Sequence, residues 1–248
     1  MNDNLADHLL PGIPEDAVRE ALAKAGGNEI GSGKFASPES SAALAVNGFG
    51  WFIDRLQALP PFPPLADLDW PATRVDVERQ MRFPWSGGRH PWLDAAVETD
   101  VHLIGVESKR FEPYRDRKVA KLSKAYNRDV WGDQMELWCT MRDRLRSQPE
   151  AYRWLDAAQL VKHAYGLATE GERCGKSPVL LYLYAEPTAG RTIVEEAFAE
   201  HRGEIAEFAA AVRGSRVRFA ACSWREWLTT FEGGAADHAG RVLDRFAP

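Results

Sequence analysis

The sequence predicts an α/β fold in which a mixed central sheet is flanked by helices. Three observations carry that expectation. Residues 73–83, "TRVDVERQMRF", alternate polar and apolar side chains with the two-residue period of a half-buried strand. Residues 177–187, "SPVLLYLYAEP", form a short unbroken apolar run of the kind that fills a central strand covered on both faces. Beyond these, apolar residues recur at helical spacing. In "TIVEEAFAEHRGEIAEFAAAVRG" (192–214), Val194, Phe198, Ile205, Phe208 and Val212 fall on one side.

Taken in order, residues 1–36 read as a loop-rich N-terminal extension with a short helix over 15–25. The stretch "GGNEIGSGKF" (26–35) is not a phosphate-binding loop. Asn28 stands where the first glycine is required, and Phe35 stands where a serine or threonine should follow Lys34. "SPESSAALAVNGFGWFIDRLQAL" (37–59) predicts a helix capped by Ser37, with Pro38 in the first turn and Glu39 near its positive end. "PPFPPLADLDWPA" (60–72) is a proline-rich surface connector. The strand at 73–83 follows, then the turn-forming "PWSGGRHP" (84–91) and a hairpin over 93–111. "WGDQMELWCTMRDRLRS" and "PEAYRWLDAAQLVKHAYGL" read as helices, and "RVRFAACSWREWL" as a strand running into a helix. There are no internal repeats. The expectation is one domain over 1–248, with its core at about 37–230.

Composition narrows the function. Apolar residues make up 45% of the chain and charged residues 27%, ordinary values for a globular protein. Cys139, Cys174 and Cys222 are odd in number and widely spaced, which excludes a disulfide framework or a zinc pattern and favours a cytoplasmic setting. The acidic start "MNDNLADHLLPGIPED" does not read as a signal peptide, and "VLLYLYA" (179–185) is too short to span a membrane. A net charge of −5 argues against a nonspecific nucleic-acid coat. Yet residues 109–128 hold eight Lys/Arg against Glu112 and Asp116, a local +6. That segment, read as a basic helix, is expected to gather phosphates through Arg110, Arg115, Arg117, Lys118, Lys121, Lys124 and Arg128.

The hairpin "LDAAVETDVHLIGVESKRF" raises a sharper question, because charged residues are unusual in the middle of a strand. If it turns at Asp100-Val101, paired residue numbers sum to 201 and Asp94 lies opposite Glu107. Lys109 shares a face with Glu107, because strand side chains repeat every second residue. Ala95, Val97, Ile104 and Val106 then point the other way, and Gly105 leaves room beside the patch. Two facing carboxylates repel unless a cation sits with them, and Mg2+ favours carboxylate oxygens.

Asp94, twelve residues, then Glu107-Ser108-Lys109 resembles the signature of the PD-(D/E)XK nuclease superfamily, which has the restriction-endonuclease-like fold. The predicted element order is similar to its αβββαβ core plus inserted helices. More narrowly, "GKFASPESSAALAVN", "HPWLDAAVETD", "GVESKRFEPY" and "LLYLYAEP" resemble a bacterial branch of that superfamily. The proline that usually precedes the aspartate is displaced here, Pro91 lying three residues ahead of Asp94.

The resemblance implies a phosphodiester hydrolase, DNA before RNA, that uses Mg2+ or Mn2+. By it, Asp94 and Glu107 hold the metal with the backbone carbonyl of Ser108, and Lys109 orients or helps deprotonate the attacking water. Glu78, on the preceding strand, is an additional candidate ligand. Glu29, Glu39, Glu112 and Tyr114 are accessory candidates. So is Gln159, which with His163 four residues later resembles the Gln-x-x-x-Tyr element of exonuclease-type relatives, a histidine replacing the tyrosine. His90 and His201 are expected to make local hydrogen bonds. The alternatives are a noncatalytic nucleic-acid- or protein-binding member of the fold and a hydrolase acting on RNA.

Overall fold

The alternation at 73–83 is realised as strand β1 (Arg74–Gln80), which pairs antiparallel with β2 (Trp92–Glu98). β2 pairs antiparallel with β3 (His102–Lys109). β4 (Ser177–Tyr184) then joins parallel to β3, and β5 (Arg218–Ser223) parallel to β4. The sheet is therefore mixed, in the order β1-β2-β3-β4-β5. Every residue of β4 after Ser177 is buried, as an uninterrupted apolar strand at the sheet centre requires. The computed structural model describes residues 5–26, 31–115, 117–190 and 192–248.

Eight helices cover the sheet among the described residues: α1 (Glu15–Lys24), α2 (Ser41–Gly50), the one-turn α3 (Glu112–Arg115), α4 (Glu136–Ser147), α5 (Ala157–Cys174), α6 (Glu195–Ala211), α7 (Trp224–Leu228) and α8 (Gly233–Phe246). Because successive strand residues point to opposite faces, the sheet sorts its side chains into two cores. Val75, Val97, Ile104, Val106 and Leu181 pack with α1, α2, α7 and α8. Ala96, Leu103, Leu180 and Tyr182 pack with α4, α5 and α6. In the first core Phe49, Phe62 and Trp227 meet at ring separations of 4.8 to 6.1 Å. Burying each such ring contributes roughly 1.5–3 kcal/mol. Gly48 on α2 makes room for Trp224: a Cβ there would lie 2.5 Å from the indole ring. Trp224 in turn donates from Nε1 to Ser108 Oγ at 3.1 Å, tying α7 to the end of β3.

Several elements depart from the sequence expectation. The cap of α2 is Ser40, whose hydroxyl accepts from the Ala43 amide at 3.0 Å, and not Ser37. Ser37 closes the preceding turn, its carbonyl accepting from the Ser40 amide at 3.0 Å. α2 stops at Gly50, and only a single 3-10 turn, Leu56–Ala58, follows within the stretch expected to be helical.

Beyond Arg115 the described part of the basic segment forms no α-helix, only the 3-10 turn Lys124–Asn127. Its backbone finds tertiary partners instead. The Lys118 amide donates to the Arg153 carbonyl at 3.2 Å, and the Ala120 amide to the Pro149 carbonyl at 2.7 Å. From α4, Arg146 donates to the Ser123 carbonyl at 2.5 Å and Arg142 to the Tyr126 carbonyl at 2.8 Å.

α5 begins at Ala157, where Asp156 caps it, and not at 149. The carboxylate of Glu204 on α6 holds the preceding turn by accepting from the amides of Arg153, Trp154 and Leu155 at 2.7 to 2.9 Å. Val194 is 61% exposed at the start of α6, outside the buried stripe of Phe198, Ile205 and Phe208.

Packing also extends past both ends of the expected core. Leu5, Leu10, Ile13, Val18 and Leu22 join the first core from the N-terminal side. Ala235, Ala239, Val242 and Phe246 of α8, a helix not expected from the sequence, join it from the other. The three cysteines are free. No helix among the described residues is long and apolar enough to cross a membrane.

Candidate active site at the open end of the β2–β3 hairpin

The hairpin keeps the expected register: Ala95 pairs with Val106, Ala96 with Gly105, Val97 with Ile104 and Glu98 with Leu103. The backbone ladder ends at Ala95, and a side chain takes over the next rung. Asp94 Oδ2 accepts a hydrogen bond from the Ser108 amide at 2.7 Å. On the other side of Asp94, Glu78 interrupts β1 with φ 52, the left-handed region that non-glycine residues rarely adopt. Such a conformation costs on the order of 1–3 kcal/mol and persists only where its surroundings enforce it.

Glu107 is buried, 2% exposed. Its Oε1 carries an ion pair with Lys109, and its Oε2 lies 2.8 Å from Nε2 of His163 on α5. Oε1 nonetheless has no aligned hydrogen-bond donor. Burial works to raise the Glu107 carboxyl, but the charges of Lys109 and His163 outweigh it and hold the group down at about 2. Asp94 is pushed the other way, well above the usual carboxylate range, by burial and by the neighbouring Glu107 charge, with Lys109 only partly compensating. Lys109 itself stays protonated to higher pH than usual: burial opposes this, and Glu107, Asp94 and Glu112 outweigh it. The cluster therefore crowds two carboxyl groups against one close ammonium in a shielded place, and burial with the Glu107 charge disfavours ionisation of Asp94.

Gly105 does not leave empty space beside this cluster, as the sequence reading expected. A Cβ there would fall 2.3 Å from Leu93 and 2.9 Å from Leu167, so the missing side chain is filled by those two leucines. The consequence is the close approach of α5 to β3, which brings His163 against Glu107.

Asp94 opens onto a cleft of about 520 Å³. Glu78, Glu39, Glu112, Ser41 and Arg115 share its wall with Asp94. Glu107 and Lys109 do not line it. Glu39 pairs with Arg115 at 2.5 Å. Glu112 accepts from the Arg110 amide at 2.9 Å and from the Ser41 hydroxyl. Its carboxyl is held below the usual range, because Lys109 and Ser41 outweigh its burial. Among the described residues, no three His, Cys, Asp or Glu side chains stand together as a metal-binding group.

The remaining expected site residues are scattered. Tyr114 turns away from the cleft: its hydroxyl donates to the Ala185 carbonyl at 3.1 Å and sits 3.1 Å from His201 Nδ1. Gln159 lies one turn before His163, its backbone N–H donating to the Asp156 carboxylate at 3.0 Å. Glu29 lies outside the described residues. His90 makes the local hydrogen bond expected of it, accepting from the Phe83 amide at 3.0 Å, whereas His201 is bonded across the fold, to the Tyr182 hydroxyl at 3.0 Å and the Tyr114 hydroxyl at 3.1 Å.

Of the basic set, Arg110 is not available to a nucleic acid. It is 4% exposed, and its guanidinium donates to the Pro38 carbonyl at 2.5 Å and to that of Phe246. Arg115 is tied to Glu39, Arg117 pairs with Glu150 at 2.9 Å, and Lys118 donates to the Glu112 carbonyl at 2.7 Å. Lys121, Lys124 and Arg128 are exposed, Arg128 lying over the Trp85 ring at 4.5 Å.

The residue that sequence reasoning undervalued is His163. Its only signal was its position four residues after Gln159 on a helix following the hairpin.

Compared with known proteins, residues 2–246 match the model of a family described as "Restriction Endonuclease associating with ARP". No curated protein and no solved structure matches the chain. The family match spans nearly the whole sequence, and the mixed sheet with its flanking helices is the restriction-endonuclease-like arrangement. The chain belongs to this restriction endonuclease family.

Proposed function

We propose that the protein is a Mg2+- or Mn2+-dependent phosphodiester hydrolase acting on DNA, with its chemistry at Asp94, Glu107 and Lys109. The observation that carries this reading is the crowding of two carboxylates at the open end of the β2–β3 ladder, with an ammonium group alongside.

The donor set fits a hard divalent cation. Glu107 Oε1 is buried without an aligned donor, and Asp94 resists ionisation until more positive charge arrives. Asp94 and Glu107 would hold the ion with the Ser108 carbonyl, and Glu78, which shares the cleft wall with Asp94 without forming a three-residue group with the two, would be the candidate additional ligand. When bound, the ion supplies an activated water and polarises a phosphoryl oxygen. Lys109 offsets the negative charge that grows on the phosphate and orients the attacking water. Arg115 lines the same cleft, and Lys121, Lys124 and Arg128 offer exposed charge to the phosphate backbone. Association with ARP, the partner in the family description, and a reducing cytoplasm that suits three free cysteines belong to the same reading.

The test is incubation of the purified protein with linear, circular and single-stranded DNA plus Mn2+, alongside Lys109→Ala and a labelled RNA. Wild type is expected to cut at least one DNA form and the variant none. Equal cutting by both sinks the assignment, and cleavage of RNA alone overturns the choice of DNA.

A further inference from the structure

We propose that His163 is a positioning residue for the metal-binding carboxylate: it pins Oε2 of Glu107 so that Oε1 is presented to the cation. The inference rests on the functional reading above and adds to it a residue on a separate helix. The juxtaposition that carries it is a 2.8 Å contact between His163 Nε2 and Glu107 Oε2, both side chains being 3% exposed or less.

The placement is costly unless it serves that contact. A buried imidazole without good partners loses hydration that the protein does not replace. Elsewhere each buried histidine has at least one ring nitrogen in a hydrogen bond: His201 meets two tyrosine hydroxyls, and His238 Nε2 donates to the Asn47 carbonyl at 2.8 Å while its Nδ1 has no partner among the described residues. At His163 neither ring nitrogen makes an aligned hydrogen bond among the described residues, and Nε2 lies 2.8 Å from the Glu107 carboxylate. The ring is thus arranged around Glu107 and not around the general packing of α5.

The carboxylate gains a fixed orientation from this. Glu107 has two oxygens and two cationic or polar neighbours, one on each. Lys109 comes from the same strand and carries a long side chain that is 16% exposed, so it can swing toward a phosphate. His163 cannot move in that way, because α5 is seated on β3 where Leu167 fills the space left at Gly105. The rigid partner holds Oε2 while the mobile one yields Oε1. Groups that orient a ligating carboxylate typically change metal affinity by ~10–100-fold when removed.

The experiment is a calorimetric Mn2+ titration of the full chain, without DNA, for wild type, His163→Ala, His163→Gln and Asp94→Ala, with melting curves for each. The proposal expects His163→Ala to weaken Mn2+ binding by ~10–100-fold. It expects His163→Gln, whose amide donates from the same place, to recover most of that loss. If His163→Ala does not fold, His163→Gln alone decides, because near-native affinity supports the proposal and full loss overturns it. Unchanged affinity in a folded His163→Ala also overturns it. A separate outcome, in which wild type and Asp94→Ala bind Mn2+ equally or not at all, removes the functional reading and this inference with it.

Discussion

Asp94 and Ser108 are joined by a hydrogen bond from the Ser108 amide to the Asp94 carboxylate at 2.7 Å, so a side chain serves as the last rung between β2 and β3. The carboxylate is thereby fixed beside Glu107 although their charges repel. Without metal, this is an unfavourable arrangement that the rest of the fold sustains.

Asp94→Asn keeps a carbonyl oxygen for the Ser108 amide and removes the repulsion. Because the folded-state Asp94 carboxyl is raised, its protonated form stabilises the fold at low pH, and that contribution is lost as pH rises through the folded value. The metal-free variant is therefore expected to melt higher than wild type at pH 8, by the few degrees that ~1 kcal/mol produces in a chain of this size. Added Mn2+ should raise the melting temperature of wild type and leave the variant unmoved. A variant less stable than wild type without metal contradicts the account.

Lys109 and Glu107 form a partly buried ion pair. Removing one partner of such a pair leaves an uncompensated charge and costs about 3–5 kcal/mol. Lys109→Ala should lose stability at the lower end of that range, since the ammonium keeps some exposure. Lys109→Ala combined with Glu107→Gln should recover much of the loss. Urea midpoints of both singles and the double variant measure the coupling, and strictly additive losses refute it.

His238 sets an acid limit on stability. Burial, with Arg241 and Arg55 nearby, outweighs its hydrogen bond to the Asn47 carbonyl and holds the ring down at about 4. His201 is held at about 3, mainly by burial and then by Arg202 and Lys118. Both rings are neutral in the fold, while the unfolded chain takes up protons below about pH 6.5. Stability should fall as pH drops from 6.5 toward 4, by on the order of 3 kcal/mol from His238 alone. His238→Gln should flatten that slope in urea titrations at a series of pH values. An unaltered slope excludes His238 as a source.

Arg110 and Arg128 belong to one basic run but should behave differently. Arg110→Ala removes two carbonyl contacts and the packing against Phe111 and Phe246, so it is expected to destabilise the fold by about 2 kcal/mol. Arg128→Glu and Lys124→Glu should leave the melting temperature nearly unchanged. Each should weaken DNA binding and lower the slope of log affinity against log salt by about 1. Fluorescence anisotropy in Ca2+ buffer measures this, and an undiminished slope in both variants refutes the assignment.

The strand register was legible from sequence for a simple reason. A two-residue period and one turn position leave a single alignment that buries Val97, Ile104 and Val106 together, so the proximity of Asp94 and Glu107 followed. The apolar run of β4 was legible for a similar reason, because only a strand covered on both faces tolerates it. Helix ends were less so. Ser37 and Ser40 are both good caps, and the choice between them fell to which hydroxyl reached a free amide, Ala43 in the event.

By itself the sequence determined an α/β chain with a charged hairpin, a D…ExK spacing and a local excess of basic residues. Tertiary structure decided which of those charges are usable. Arg110 looks like any exposed arginine until α8 supplies the Phe246 carbonyl, and His163 looks like an ordinary helix residue until Gly105 lets α5 settle on β3. Local spacing sets which side chains share a face, but burial and partners come from segments distant in the chain. No periodicity within one element records those.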